Sequence, residues 1–162
     1  MHRILSTCLI VALGCTGAPH NDLTVGADSA FAALQTRGAS AMGVDQSTSS
    51  HIFESLPDGG RIVLQRDSLD AAGTEVIRAH MRDIAVRFAA GDFTIPGMVH
   101  AQDVPGTAEM SALRASIRYA ADTLPHGAQV RITTEDTNAV SAIHAFLAFQ
   151  RMDHRAAGHD GA

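Results

Sequence analysis

Two stretches of this 162-residue chain, Ser55–Asp67 and Thr123–Glu135, have similar sequences 68 positions apart. In both stretches a Leu-Pro-x-Gly turn separates two short strand-like runs, which is the pattern of a β-hairpin. Each predicted hairpin precedes a predicted helix. The sequence therefore predicts an α+β fold in which two ββα units form a four-stranded antiparallel sheet with two helices on one face. The match reflects either a true duplication or shared turn chemistry, and the order of elements is the same in both cases.

The two predicted helices are defined by apolar residues that recur every three or four positions and so share one helical face. The helix within Asp67–Ala90 has the apolar residues Ile77, Met81, Ile84 and Phe88. The helix at Asp136–His154 has the apolar residues Val140, Ile143, Phe146, Leu147 and Phe149. The aspartate that opens the second helix is its expected N-cap. Aligning the two helices places His80 opposite His144, each beside the apolar face of its helix.

Residues 1–14 are typical of a cleaved export signal, because a basic residue near the start is followed by an apolar run, Ile4–Leu13, and by small residues. The junction Ala12-Leu13-Gly14-Cys15 resembles the signal of bacterial lipoproteins, in which a cysteine receives a diacylglycerol and becomes the first mature residue. The resemblance implies that Cys15 is lipidated and that a membrane is a partner of the chain. Ala12 stands where that family usually has leucine, so plain cleavage at the same bond by ordinary signal peptidase is the alternative.

The cysteine count agrees with this interpretation. Cys8 would be lost with the signal, so the mature chain would keep Cys15 alone and could form no internal disulfide. We therefore expect an exported, periplasm-facing lipoprotein. Thr16 resembles the residue that, in the lipoprotein family, accompanies transfer to the outer membrane of a Gram-negative cell.

Composition divides the rest of the chain into three parts. Residues 15–50 are rich in Ala, Gly, Ser and Thr, and they bury too little apolar surface to offset the entropy of ordering them. We expect a lipidated cysteine and a flexible tether there, with one short helix near Asp28–Gln35. Residues 51–154 form the predicted ββαββα domain, and residues 155–162 are a predicted frayed tail.

Charge and motifs exclude several functions. The formal net charge is -5 and all twelve basic residues are arginine, so a nucleic-acid partner is not expected. The sequence contains no Gly-x-Ser-x-Gly, phosphate loop or His-Glu-x-x-His motif. These absences favour a binding module over an enzyme. An envelope enzyme that uses a histidine with an aspartate as acid and base is the least favoured alternative.

Histidine is the compositional hint of chemistry, since nine occur in the chain. If the two helices lie together on the sheet, His80 and His144 approach each other at a pseudo-twofold position. Neutral imidazole is a common ligand of zinc and copper, and a carboxylate often orients the ring. Asp83 and His154 are expected to contact the metal ligands rather than the metal, and to orient those ligands.

The segment between the two units adds further candidate ligands. It carries His100, Met98 and Met110, and a set of imidazole and thioether groups suits Cu(I). A transition metal is therefore the predicted cofactor, with copper favoured over zinc. The alternative is that these side chains only pack, in a structural or protein-interaction lipoprotein with an envelope protein as partner and no cofactor.

The body also resembles a group of small exported bacterial proteins of unassigned function. The segments that carry the resemblance are Ile77-Arg78-x-His80, Gly91-Asp92-Phe93, Val99-His100, Val104-Pro105-Gly106 and Ala142-Ile143-His144 through Asp153-His154. The resemblance implies an envelope location and supplies no activity. Some members of the group carry the label aspartate carbamoyltransferase. That activity is not expected here, because the chain is about half the length of such a subunit and lacks the Ser-Thr-Arg-Thr stretch that holds carbamoyl phosphate.

Overall fold

The computed structural model describes residues 22–43, 45, 48–67 and 69–159. In chain order the elements are α1 (Asp22–Met42), β1 (Ser49–Leu56), β2 (Gly59–Arg66), α2 (Ala71–Ala89), α3 (Thr94–His100), α4 (Thr107–Ala112), a 3-10 turn (Arg114–Ser116), β3 (Arg118–Leu124), β4 (Gly127–Thr133) and α5 (Thr137–Asp153). The predicted export signal and lipidation site, Cys15, lie outside the described residues. Within the described part of the chain, no helix is both long and apolar enough to cross a bilayer.

The sheet confirms the predicted α+β class. Its four strands are antiparallel in the order β1-β2-β4-β3, so the second strands of the two hairpins meet at the centre. They pair with Ile62 opposite Val130. The helix of each unit packs mainly on the hairpin of the other unit: α2 contacts β3 and β4, and α5 contacts β1 and β2. The two ββα units are thereby interlocked around one core.

The core lies between the inner face of the sheet and the helices α2 and α5. Its largest fully buried side chains are Phe88, Phe146, Ile77, Met110, Ile132, Ile143, Leu147 and Val130. The helices α2 and α5 each begin after an aspartate whose carboxylate accepts hydrogen bonds from free backbone N–H groups. The Asp70 carboxylate accepts from the N–H of Gly73 at 2.9 Å. The predicted cap Asp136 accepts from the N–H of Asn138 at 2.8 Å.

The predicted flexible tether is wrong over Asp22–Met42, where the structure has a helix of 21 residues that includes the short helix expected near Asp28–Gln35. Leu34 and Met42 of this helix are 3% and 6% exposed. The Arg37 Nε–H donates to the Val99 carbonyl at 2.7 Å, which fixes α1 against α3. The prediction failed because it counted only the apolar surface within the segment itself. The helix is stabilised by burial against the rest of the protein, which local composition does not report.

The predicted frayed tail is also wrong, as far as the structure describes it. The Phe53 N–H donates to the Ala157 carbonyl at 3.0 Å, and the Ser55 N–H donates to the His159 carbonyl at 3.0 Å. The tail therefore runs along the outer edge of β1 and pairs with it, with a parallel bridge between Ile52 and Ala157. The guanidinium of Arg155 lies 4.3 Å from the centre of the Phe31 ring in α1. The tail covers a sheet edge that would otherwise expose unpaired backbone groups.

Candidate functional site

A cavity of about 90 Å³ lies between the inner face of the sheet and the helices α1, α2, α3 and α5. Its walls are mostly apolar, and they include Met42, Phe53, Leu64, Met81, Ile84 and Phe146. Four histidines also line it: His51, His80, His100 and His154. A predominantly apolar cavity with a few convergent polar groups is the usual form of a small-ligand site.

Each histidine reaches the cavity from a different element. His51 lies on β1 two residues before Phe53, so strand alternation points both side chains to the inner face of the sheet. His80 lies on α2 beside the buried residues Ile77 and Met81. The last residue of α3 is His100, and His154 is the C-cap of α5.

Three of the four imidazoles are in direct ring contact. The ring centres of His51 and His154 are 5.2 Å apart, with the rings inclined by 19°. The ring of His100 lies at 90° to that of His154, with the centres 5.0 Å apart. Phe53 completes the group, since its ring centre is 5.5 Å from that of His154.

Burial favours the uncharged form of His51, His80 and His154. It lowers the pKa of His51 to about 4, and the nearby His80 lowers it further. Burial lowers the pKa of His154 to about 3, with added repulsion from His51 and His100. The pKa of His80 is also lowered by burial, against the opposing attraction of Asp83. At neutral pH each of these three rings therefore carries one nitrogen with a free lone pair.

The uncharged imidazoles of His51, His80 and His154 also lack hydrogen-bond partners among the described residues. The Nδ1 atom of His154 is buried and makes no hydrogen bond within the described residues. The side chains of His51 and His80 likewise make no hydrogen bond to any described residue. A buried polar atom without a partner costs free energy, so a native structure usually gives it a function or a ligand.

His100 differs from the other three because both of its ring nitrogens are engaged. Its Nδ1 is hydrogen-bonded to the Asp153 carboxylate. Its Nε2 lies 3.0 Å from Oε1 of Gln150. The side chain of His100 is only 1% exposed. His100 is therefore fixed by residues of α5 and has no free nitrogen with which to coordinate a metal.

The remaining predicted ligands lie away from the cavity. The Nε2–H of His144 donates to the Leu56 carbonyl at 2.9 Å, which holds α5 to the β1–β2 turn. Met98 is 55% exposed, and Met110 is fully buried in the core without lining the cavity. Asp83 forms a surface ion pair with Arg87 at 2.7 Å. The structure therefore brings together His80, His100 and His154 from the predicted set, adds His51, and leaves out the other predicted ligands.

The side chains as placed do not form a finished metal centre. Among residues 22–43, 45, 48–67 and 69–159, no three His, Cys, Asp or Glu side chains are arranged to hold a metal ion. Any metal bound by these histidines would therefore require rotation of their rings.

Comparisons of the chain with protein-family models, with curated proteins and with solved structures found no match. Fold and cavity together define a two-layer α+β protein with a ligand-sized site.

Proposed function

We propose that this protein is a transition-metal-binding module whose ligands are His51, His80 and His154. The observation that carries the proposal is the convergence on one cavity of three imidazoles with lowered pKa values, one of which, His154, has a buried Nδ1 without a partner among the described residues. Neutral imidazole is the form that binds zinc, copper, nickel and iron. A metal would satisfy the buried Nδ1 atom of His154, which no described residue does.

The spacing of the rings supports the proposal. A metal–nitrogen distance of about 2.0–2.1 Å places each ring centre about 3 Å from the ion, so two imidazoles on a tetrahedral ion have centres about 5 Å apart. The centres of His51 and His154 are 5.2 Å apart. The two rings are nearly parallel, inclined by 19°, so they would have to turn for both to present a nitrogen to one ion. His80 is the third ligand because it faces the same cavity from α2.

Copper remains favoured over zinc, but for a different reason from the one the sequence suggested. Met98 and Met110 do not line the cavity, whereas Met42 and Met81 do. Thioether and imidazole together suit Cu(I), and imidazole alone suits Zn(II) equally well. The proposed ligand set is therefore three histidines with Met42 or Met81 nearby.

The test is a titration of residues 15–162 with Cys15→Ser and no histidine tag, so that neither a thiol nor a tag competes for metal. Cu(I) is added against a chromophoric chelator, and Zn(II) and Co(II) are added separately. We expect one ion to bind per chain. His51→Ala, His80→Ala and His154→Ala should each weaken binding by at least about 100-fold, which is the upper end of the loss seen when only a supporting residue is removed.

The matched control is His144→Ala, which removes a histidine of the same helix that packs on the Leu56 carbonyl outside the cavity. Its metal affinity should equal that of the parent chain. Equal losses in His144→Ala and His154→Ala would contradict the proposed ligand set. Failure of all three metals to bind would instead favour the alternative, a structural or protein-interaction lipoprotein in which these histidines only pack.

We also propose that the chain is exported and attached to a membrane through a lipid on Cys15. The support is the sequence of the leader and the lone cysteine at its end. Six residues separate Cys15 from the start of α1 at Asp22, and they span at most about 22 Å when fully extended. The start of α1, rather than the cavity, would therefore lie close to the membrane surface, since the α1 residues that line the cavity belong to the C-terminal end of that helix.

Expression of the full chain in a bacterium tests the attachment. We expect the protein in the detergent phase of a phase-separating detergent extract, with a mass increased by the acyl chains. Cys15→Ser should abolish this increase in mass, because the lipid is attached to the cysteine thiol. A wild-type chain that is cleaved before Cys15 but carries no lipid would support plain secretion instead.

A further inference from the structure

The side-chain amide of Gln150 lines the same cavity, and only its oxygen has a hydrogen-bond partner among the described residues. Gln150 lies on α5 and is 5% exposed. Its Oε1 is 3.0 Å from Nε2 of His100, but its own Nε2 is buried and makes no hydrogen bond within the described residues. An amide N–H in an apolar environment strongly favours an acceptor. The cavity therefore contains a vacant donor that is distinct from the imidazole nitrogens of the proposed metal site.

The amide is held in place by a chain of contacts. The Nε2–H of His100 donates to its oxygen, and the Nδ1–H of the same ring donates to the Asp153 carboxylate. All three residues are positioned by α5 and the end of α3. The donor is thus preorganised, which lowers the entropic cost of binding a ligand.

The rest of the cavity determines the chemistry of an occupant. Among the described residues, no Arg, Asp or Glu lines it, so its polar groups are four imidazoles and the Gln150 amide. An ionised ligand would lose more hydration in such a cavity than a neutral one, which favours a neutral occupant. A cavity of about 150 Å³ accommodates the six carbons of benzene, so one of about 90 Å³ accommodates roughly four non-hydrogen atoms.

We infer that the cavity binds a small neutral organic molecule, such as a ketone, aldehyde or ether, whose apolar body contacts the hydrophobic walls and whose oxygen accepts a hydrogen bond from Gln150. The ligand meets the amide nitrogen, while the apolar walls that include Leu64, Ile84 and Phe146 surround its hydrocarbon part. This binding does not require a metal. It can therefore succeed or fail independently of the proposed metal function.

The probe is acetone, with isobutene as the hydrocarbon of the same shape that lacks the acceptor oxygen. The protein is residues 15–162 with Cys15→Ser and ¹³C-labelled methionine methyl groups, kept metal-free with EDTA. Met42 and Met81 line the cavity, whereas Met98 and Met152 are exposed elsewhere. We expect saturable shifts of the Met42 and Met81 methyl signals with acetone, and none at the two exposed methionines.

Two variants test the assignment. Gln150→Leu should weaken acetone binding about fivefold to tenfold, the value of one hydrogen bond, and leave isobutene binding unchanged. Ala41→Phe introduces a ring from α1 into the cavity and should abolish binding of both molecules while Gln150 is intact. The proposal is overturned if acetone leaves Met42 and Met81 unshifted, or if it binds Ala41→Phe as well as the parent chain. Because EDTA is present, neither result bears on the metal titration.

Discussion

Phe88→Ala is expected to lower the free energy of unfolding by about 3–5 kcal/mol, the usual cost of removing a buried phenylalanine ring. Phe88 is 2% exposed on α2. Its ring centre lies 4.5 Å from that of Phe93 and 5.7 Å from that of Phe146 on α5, and it also contacts Tyr119 on β3. The ring therefore joins both long helices to the sheet. Urea unfolding followed by circular dichroism measures the change.

The control for this prediction is Val86→Ala on the same helix, where the side chain is 69% exposed. Its free energy of unfolding should stay within about 0.5 kcal/mol of the parent value. A loss below about 1 kcal/mol for Phe88→Ala would mean that the aromatic cluster does not join the two ββα units. The comparison separates burial from helix propensity, because both variants end as alanine in the same helix.

The order of elements could be predicted from the sequence because its signals are local. A proline-glycine turn between short apolar runs defines each hairpin, and an aspartate cap with apolar spacing defines each long helix. The order of the strands depends on pairing between residues that are far apart in the sequence. Even so, β2 and β4 carry the most buried apolar residues, Ile62, Leu64, Val130 and Ile132 among them, which suits strands at the centre of a sheet.

The full length of α1 and the paired tail could not be predicted in this way, although a short helix near Asp28–Gln35 was expected. Among the described side chains of α1, the large apolar residues that are buried are Leu34 and Met42, too few for a recognisable amphipathic pattern. Its order depends on partners far away in the sequence, such as the Val99 carbonyl bound by Arg37. The tail is ordered by backbone hydrogen bonds to β1, and these carry no side-chain signature.

The candidate site was predicted in part, and the errors have a geometric cause. Apolar spacing defines the buried face of a helix but not what each neighbouring position contacts. His80 borders the buried face of α2 and reaches the cavity, whereas His144 borders that of α5 and meets the β1–β2 turn. His51 was missed although a signal existed. It alternates with Phe53 on a predicted strand, which places both on the inner face.

Acid is expected to destabilise the metal-free protein well before its carboxylates are fully protonated. His51 and His154 have folded-state pKa values lowered to about 4 and about 3, against about 6.5 when unfolded. A lowered pKa means that the unfolded chain binds the proton more tightly. The stability contributed by each neutral histidine is therefore complete above pH 6.5 and is lost as the pH falls towards 4 and 3. The loss between pH 7.5 and pH 4.5 should be on the order of 2–3 kcal/mol for each residue.

His154→Asn isolates this effect, because it removes one buried titrating group and leaves the surface carboxylates unchanged. Urea unfolding in EDTA at pH 7.5 and pH 4.5 should show a smaller pH-dependent loss in this variant than in the parent chain. The matched control is His126→Asn, in the exposed β3–β4 turn, where asparagine tolerates the positive φ of 60°. Its pH dependence should equal that of the parent. An identical pH dependence in His154→Asn would show that His154 is hydrated in solution, and it would remove the support that an uncharged, partnerless imidazole gives to the metal site.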